Sequence, residues 1–485
     1  MVRSILLLCA LLTLTVVSTA QRSITLPGKT VVNIRLVAEN LEHPAVLTQQ
    51  ADGMLWVTER TSGKVLRINP GTGASTSVLE KQLSVSPQDP SIKGGLFGIS
   101  LHPSFDNGMP YVFISSTTAD NSLIVEKYRF IDGRLMEPQV LFTAKNVPHD
   151  LGLTLEALAD NTLLVCVASF DNMDPITLSN VNGKIIRMTF DGDAVPTNPM
   201  YDAADPRSAR SYIYTWGHRN PLGLTQVPMI NASMPGAVFS SECGPYSFDE
   251  LNRIQPGGNY GWLVDHGYTT TPSAGLTCPL ATLNQGPSGI AYYSSSAIPE
   301  WTNSLLVGTL RGNGMVIAEL TANGAVSNID PSRPSDDVMV LSNGRLIDLT
   351  LGDGETRISD VSVSADGRVF VALSDFGDVK NGRILAIENP AVHGPLAVDD
   401  GNLTASTGFR YGPNPVADVL TVSLDTPFTS AWSASIVDLN GRTATTASYS
   451  SATTQVTLST SNLSAGAYML VVKDAATTRT VTFIR

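Results

Sequence analysis

The sequence predicts an all-β chain, a six-bladed β-propeller followed by a small C-terminal β-sandwich. Three observations carry that expectation. With 40 Gly and 29 Pro in 485 residues, the chain is cut into short segments, as many strands joined by turns require and a long helical bundle forbids. One paired-strand pattern recurs six times between about residues 40 and 390. After Asn389 the character changes, and residues 411–485 are rich in Ser and Thr with only four acidic and four basic side chains.

The N-terminus reads as an export signal. Met-Val-Arg is followed by an apolar run from Ile5 to Val17 and then Ser18-Thr19-Ala20, the order of a secretory signal peptide with cleavage after Ala20. That 13-residue run falls short of the ~20 that a spanning helix needs, and no later run is long enough to cross a bilayer. Residues 21–389 are then the propeller. Each copy of its repeat sets a turn of Asp, Asn or Gly before an apolar strand, often followed by Gly-x-[Val/Ile]-x-x-[Ile/Leu]. The copies begin near Asp52, Asn107, Asp160, Gly236, Ser304 and Asp366, at intervals of 53 to 76 residues. A pair of β-sandwiches would also alternate and turn often, but six returns of one paired-strand pattern favour the propeller. Propellers place functional side chains on loops around a central channel, so site residues are expected to be scattered in sequence. Residues 390–410 read as a linker, and 411–485 as the sandwich, with a Pro-rich start and an Asn-Gly turn.

Composition excludes some functions. Lys+Arg number 31 against 43 Asp+Glu, a net charge of −12, which argues against a general nucleic-acid binder that needs clustered cations. Three cysteines remain after Ala20, so at most one bridge forms. Cys243 with Cys278 is the expected pair, because Cys166 sits in the apolar run Leu163-Leu-Val-Cys-Val167 and reads as a core residue. No Cys/His spacing resembles a zinc site.

Two sets of strings carry resemblances. In the tail, Tyr411-Gly-Pro-Asn-Pro415, Val437-Asp-Leu-Asn-Gly-Arg442, Leu463-Ser-Ala-Gly-Ala-Tyr468 and a basic terminus stand in the order of the C-terminal sorting domain of type IX secretion cargo. That resemblance implies a Bacteroidota-type bacterium, the type IX secretion machinery as partner, and delivery outside the outer membrane. In the propeller, Gly94-Gly-Leu-Phe-Gly98, Gly217-His-Arg-Asn-Pro221, Glu242-Cys-Gly-Pro245 and Gly257-Gly-Asn-Tyr-Gly-Trp262 resemble the soluble glucose and sorbosone dehydrogenase family. These are six-bladed propellers that use pyrroloquinoline quinone and calcium.

The resemblance assigns roles that chemistry makes reasonable. A quinone with three carboxylates needs local cations in an acidic protein, and the planar fork of arginine suits them. Arg219 with Asn220, Arg311 and Arg357 match cofactor-binding positions. Ser359 replaces the second cation of a paired Arg-x-Arg. Calcium accepts backbone carbonyls, and Gly244 and Pro245 match that site, with Glu250 and Tyr260 at a further calcium region. His149 matches the base that takes the hydroxyl proton, with Asp171 to orient it. Leu153 replaces an Arg of that motif, and Lys93 stands at an active-site Gln. The expected activity is oxidation of an aldose or sugar-like alcohol, with electrons passed on to an acceptor that the sequence does not name. The alternative is a cofactor-free propeller that binds glycans or a cell-surface partner. Leu153 and Ser359 favour it, whereas His149, the three arginines and the Gly244-Pro245 turn favour the enzyme.

Overall fold

The computed structural model describes residues 21–393 apart from 84–93, 119, 148–152, 170–173, 231–234, 246–247, 268–270, 312–313, 328–345, 349–356 and 375–380. Of the C-terminal part it describes 409–485 apart from 413–417, 425–427, 429, 439–441, 465–466 and 475–477. The proposed signal peptide lies outside the described residues.

Six antiparallel sheets follow one another along the chain, each running from an inner to an outer strand. Blades 1 to 5 span residues 44–80, 95–144, 155–216, 221–283 and 287–348. Blade 6 takes its three inner strands from 358–388 and is completed by Val31–Leu41 and Gln21–Thr25 from the start of the described chain. That pairing of Val31–Leu41 with Gly382–Glu388 closes the ring. The innermost strands touch in a complete cycle, from blade 1 through blade 6 and back to blade 1. A ring of this kind leaves only short, protected sheet edges.

The sequence repeat turns out to be the hairpin of the second and third strands. Asp52, Asp160 and Asp366 each accept a hydrogen bond from the backbone N–H two residues on, from Met54, Thr162 and Arg368, an Asx turn that sets the hairpin. The same three carboxylates pair with Arg67, Arg187 and Arg368. In blades 1 and 3 the Gly-Lys-x-x-Arg string thereby braces the turn before it, whereas in blade 6 the Arg belongs to the turn itself. One detail differs from the alternation read in sequence. Leu55–Glu59, Thr162–Val167, Ser304–Thr309 and Val369–Leu373 are buried at every position. Each blade packs against a neighbour on both faces, so both faces of its middle strands are interior.

Six apolar clusters fill the six seams. Trp56 and Val65 meet Leu96 and Ile114 between blades 1 and 2. Phe113 and Val125 meet Leu163 and Val165 between blades 2 and 3, and Leu164 and Cys166 meet Leu224 and Val238 between blades 3 and 4. Phe239 and Leu251 meet Leu305 and Val307, Leu306 and Ile317 meet Val361 and Val371, and Phe370 and Ile384 meet Leu47 and Val57. The C-terminal part is a β-sandwich of a three-stranded and a four-stranded sheet around Leu420, Trp432, Ile436, Leu458 and Leu470.

The expected Cys243–Cys278 bridge is not made: Cys166, Cys243 and Cys278 are all free thiols. Cys243 is tied instead to blade 4, its N–H donating to the Asn220 carbonyl at 2.9 Å. Burial and the Asp249 carboxylate push its thiol up to about 12, which leaves it unreactive.

Candidate active site

One mouth of the channel gathers the starts of the inner strands and the loops between second and third strands. A cavity opens there, lined by residues of all six blades, among them Val46, Phe97, Leu153, Leu222, Leu310 and Ser359. Its wall is mostly apolar, as the walls of small-molecule sites are.

Arg219 and Asn220 lead into the inner strand of blade 4. The Arg219 N–H donates to the Glu242 carboxylate, and its guanidinium lies 5.3 Å from the Trp262 ring centroid. Nη1 donates to the carbonyls of Cys243 and Gly244, both at 3.0 Å. Asn220 is buried, and its Oδ1 has no hydrogen-bond partner among the described residues. Such an acceptor calls for a donor or a cation from a bound group. The Gly244 N–H donates to Asp249 Oδ1 at 3.0 Å. Only glycine fits there, since a Cβ would lie 1.7 Å from the Phe248 carbonyl oxygen. Asp249 Oδ2 accepts from the Gly286 N–H at 2.7 Å and from Arg311 Nη2 at 3.2 Å. Burial raises the Asp249 pKa against the pull of these donors. This one buried carboxylate thus joins Gly244 to Arg311, across two blades.

The sequence-predicted residues are distributed as follows. Arg219, Asn220, Gly244 and Arg311 come together through Glu242 and Asp249. Arg357 stands before the inner strand of blade 6, its carbonyl accepting from the Ser374 N–H at 2.9 Å. Pro245 keeps its carbonyl on the Phe248 N–H at 3.0 Å, which leaves a second lone pair. Glu250 is committed to the Gly267 N–H at 3.0 Å and Asn252 Nδ2 at 3.1 Å. The Tyr260 hydroxyl donates to the Arg253 carbonyl, and its ring stacks on His218 at 4.5 Å. No group of three or more His, Cys, Asp or Glu among the described residues is arranged to hold a metal. His149, Asp171 and Lys93 lie outside the described residues. Leu153 and Ser359, the two departures from the expected motifs, both line the cavity.

The family model described as Glucose / Sorbosone dehydrogenase matches residues 41–386. The chain belongs to the glucose/sorbosone dehydrogenase family. Residues 411–484 match a secretion system C-terminal sorting domain. Quinoprotein glucose dehydrogenase B of Acinetobacter calcoaceticus is 30% identical over 266 residues, 48% of this chain. The chain spans about half of that relative, 53% of its length. Aldose sugar dehydrogenase YliI of Escherichia coli is 24% identical over 73% of this chain and 92% of its own. The PQQ-bound aldose sugar dehydrogenase of Streptomyces coelicolor superposes with a TM-score of 0.59 at 26% identity, covering 74% of this chain and 98% of that one.

Within this family propeller, several residues that sequence reasoning passed over prove central. Glu242 and Asp249 flank the Gly244-Pro245 turn and hold its partners. Glu242 stood in the Glu-Cys-Gly-Pro string, but a lone acidic residue gives no sign of what it will meet. Further down the channel, Glu156 and Asp360 line a second, more polar cavity. Asp360 Oδ2 accepts from the Leu47 N–H at 2.7 Å, and Gly289 leaves room for the carboxyl group. Loss of water pushes Glu156 up to about 8 and Asp360 up to about 7.

A carboxyl group whose folded pKa lies above its ordinary value favours the fold when protonated and opposes it when ionised. For Asp360 that penalty is absent below the ordinary value of 3.8 and grows as pH rises towards about 7. Asp360→Asn keeps the acceptor for Leu47 and removes the charge. It is expected to match the parent near pH 4 and to exceed it by on the order of 2 kcal/mol at pH 8. Thermal melts at the two pH values check this, and a gap that does not widen with pH would contradict it.

Proposed function

We propose that this chain is an exported dehydrogenase, dependent on pyrroloquinoline quinone and calcium, that oxidises an aldose or sugar-like alcohol. The observation that carries the reading is the cluster at the mouth. A family propeller brings Arg219, Asn220, Gly244 and Arg311 together beside an apolar cavity, with a buried Asn220 acceptor awaiting a partner. The residues suit the cofactor: Arg219, Arg311 and Arg357 would meet its carboxylates, and the Gly244 and Pro245 carbonyls would take a hard cation. The quinone with its calcium supplies a two-electron acceptor when bound. The protein's own part is to orient the alcohol and to take its hydroxyl proton on His149, held by Asp171. Asp249 keeps Arg311 and the Gly244 turn in place. Leu153 and Ser359 favour a second reading, a cofactor-free propeller that binds glycans or a surface partner, because both remove a cation.

The deciding experiment mixes the protein with calcium and pyrroloquinoline quinone and follows titration and dye reduction over a panel of aldoses. Calcium-dependent binding with turnover is expected. Arg219→Ala is expected to weaken binding by about 1.5–3 kcal/mol, the range for a lost charge-assisted contact. Failure to bind with or without calcium would leave the binding propeller as the better reading.

The tail supports the export part of the proposal, through the type IX machinery and its sorting-domain receptor. Deleting residues 411–485 is expected to leave the propeller folded and its activity intact while retaining it inside the outer membrane. Surface delivery of the truncated chain, followed by protease shaving of whole cells, would refute that role.

A further inference from the structure

The cavity at the mouth has an apolar wall, and Ser359 has lost the cation expected of its motif. The Ser359 hydroxyl is spent at 2.6 Å on the Pro44 carbonyl. Blade 1 brings a different residue to the same corner. The Arg60 N–H donates to the His43 carbonyl at 3.0 Å, so Arg60 and Ser359 are tied to consecutive residues of one segment. Arg60 follows the second strand of blade 1, and among the described residues that line the cavity it is the only lysine or arginine. Its side chain is held in place. Nε donates to the Gly94 carbonyl at 3.1 Å, and the guanidinium lies 5.4 Å from the Phe97 ring centroid. Phe97 itself lines the cavity. A guanidinium that lies over a ring and donates through Nε has lost much of its rotamer freedom before a ligand arrives, so it binds a carboxylate at lower entropic cost.

We propose that Arg60 is a ligand-binding residue of this site, and that it meets a carboxylate of a planar anionic ligand on the blade 1–blade 6 side, where Ser359 offers no charge. Relocation of the cation keeps the charge balance of the pocket while moving its source from the sixth blade to the first. This deepens the quinone reading above and rests on it for the ligand's identity. Arg219 and Arg311 serve the opposite side, on blades 4 and 5, so the carboxylates would be met around the ring rather than along one edge.

The test is equilibrium binding by fluorescence titration of pyrroloquinoline quinone with calcium, and separately of benzene-1,3,5-tricarboxylate as a carboxylate probe, on the full chain. R60Q is expected to weaken quinone binding about 10- to 100-fold and R60K less, because lysine keeps the charge without the planar fork. The double variant R60Q/S359R is expected to recover most of the loss, a rescue that a merely structural role for Arg60 would not produce. Quinone binding by R60Q equal to that of the parent overturns the role of Arg60 and leaves the dehydrogenase reading standing. A parent that ignores the quinone but binds the tricarboxylate in an Arg60-dependent manner supports Arg60 and removes the quinone reading. Binding of neither probe by the parent overturns both. Should R60Q fail to fold, S359R alone carries the test: a second cation beside Arg60 is expected to tighten quinone binding, and unchanged affinity overturns the proposal.

Discussion

His149→Ala is expected to lower turnover about 10²- to 10⁴-fold, the usual contribution of a general base, while quinone and calcium binding stay near parental values. The separation of the two effects is the informative part. A base acts on the proton of the alcohol as the bond to its carbon breaks, so its loss raises the barrier without touching the contacts that hold the cofactor. Arg219→Ala should show the reverse pattern, with weak binding and a smaller effect at saturating cofactor. Asp171→Asn is expected to fall between parent and His149→Ala if its carboxylate only orients the ring. Turnover that survives His149→Ala would move the base to another residue and would leave the rest of the site unaltered.

Glu242→Ala is expected to cost about 3–5 kcal/mol of propeller stability, among the largest losses a single substitution on this chain can produce. The Glu242 carboxylate accepts from His218 Nδ1 at 2.8 Å, from the Arg219 N–H, and from Asn252 Nδ2 at 3.2 Å. His218 and Asn252 are wholly buried and the Arg219 N–H partly so, and the other His218 nitrogen shares a 2.8 Å hydrogen bond with Thr215 Oγ1. Alanine would leave these donors unsatisfied, and each such group costs about 1–3 kcal/mol. Because Arg219 is anchored through its own N–H, quinone binding should fall together with stability. Glu242→Gln keeps an acceptor oxygen and is expected to lose much less. It should also bring Glu250, which burial and then the Glu242 charge push up to about 8, back towards the ordinary carboxylate range. Urea denaturation of the three proteins measures the stability terms. A Glu242→Ala protein as stable as the parent would mean that the buried network contributes little.

Much of the architecture was legible before any coordinates. The six repeats lie in six different blades, and the reason is local. A turn residue at the hairpin and a Gly near the next strand, with an Asp–Arg pair bracing the turn in blades 1, 3 and 6, act within fewer than thirty residues, so the pattern survives in one dimension. Blade 4 carries it less clearly, because its third strand opens on Asp249 rather than on a Gly. The strings around Arg219 and Gly244 were legible for the same reason, each being a short loop with demanding backbone geometry.

What the sequence by itself determined, then, is the fold class, the family and the loops proposed to carry the chemistry. Those follow from turn chemistry, strand periodicity and short strings, all of which act between near neighbours in the chain. Only the tertiary structure decided which side chains serve those loops. Asp249 binds Gly244 five residues away and Arg311 on the next blade, and no spacing rule relates the three. Cys243 turns to Asn220 and Asp249 rather than to Cys278 because closure of blade 4 buries it among them. Arg60 and Ser359, about 300 residues apart in sequence, share a corner because the ring closes blade 6 on blade 1. A ring closure is a long-range contact. Its consequences for charge and burial exist only once all six blades are in place.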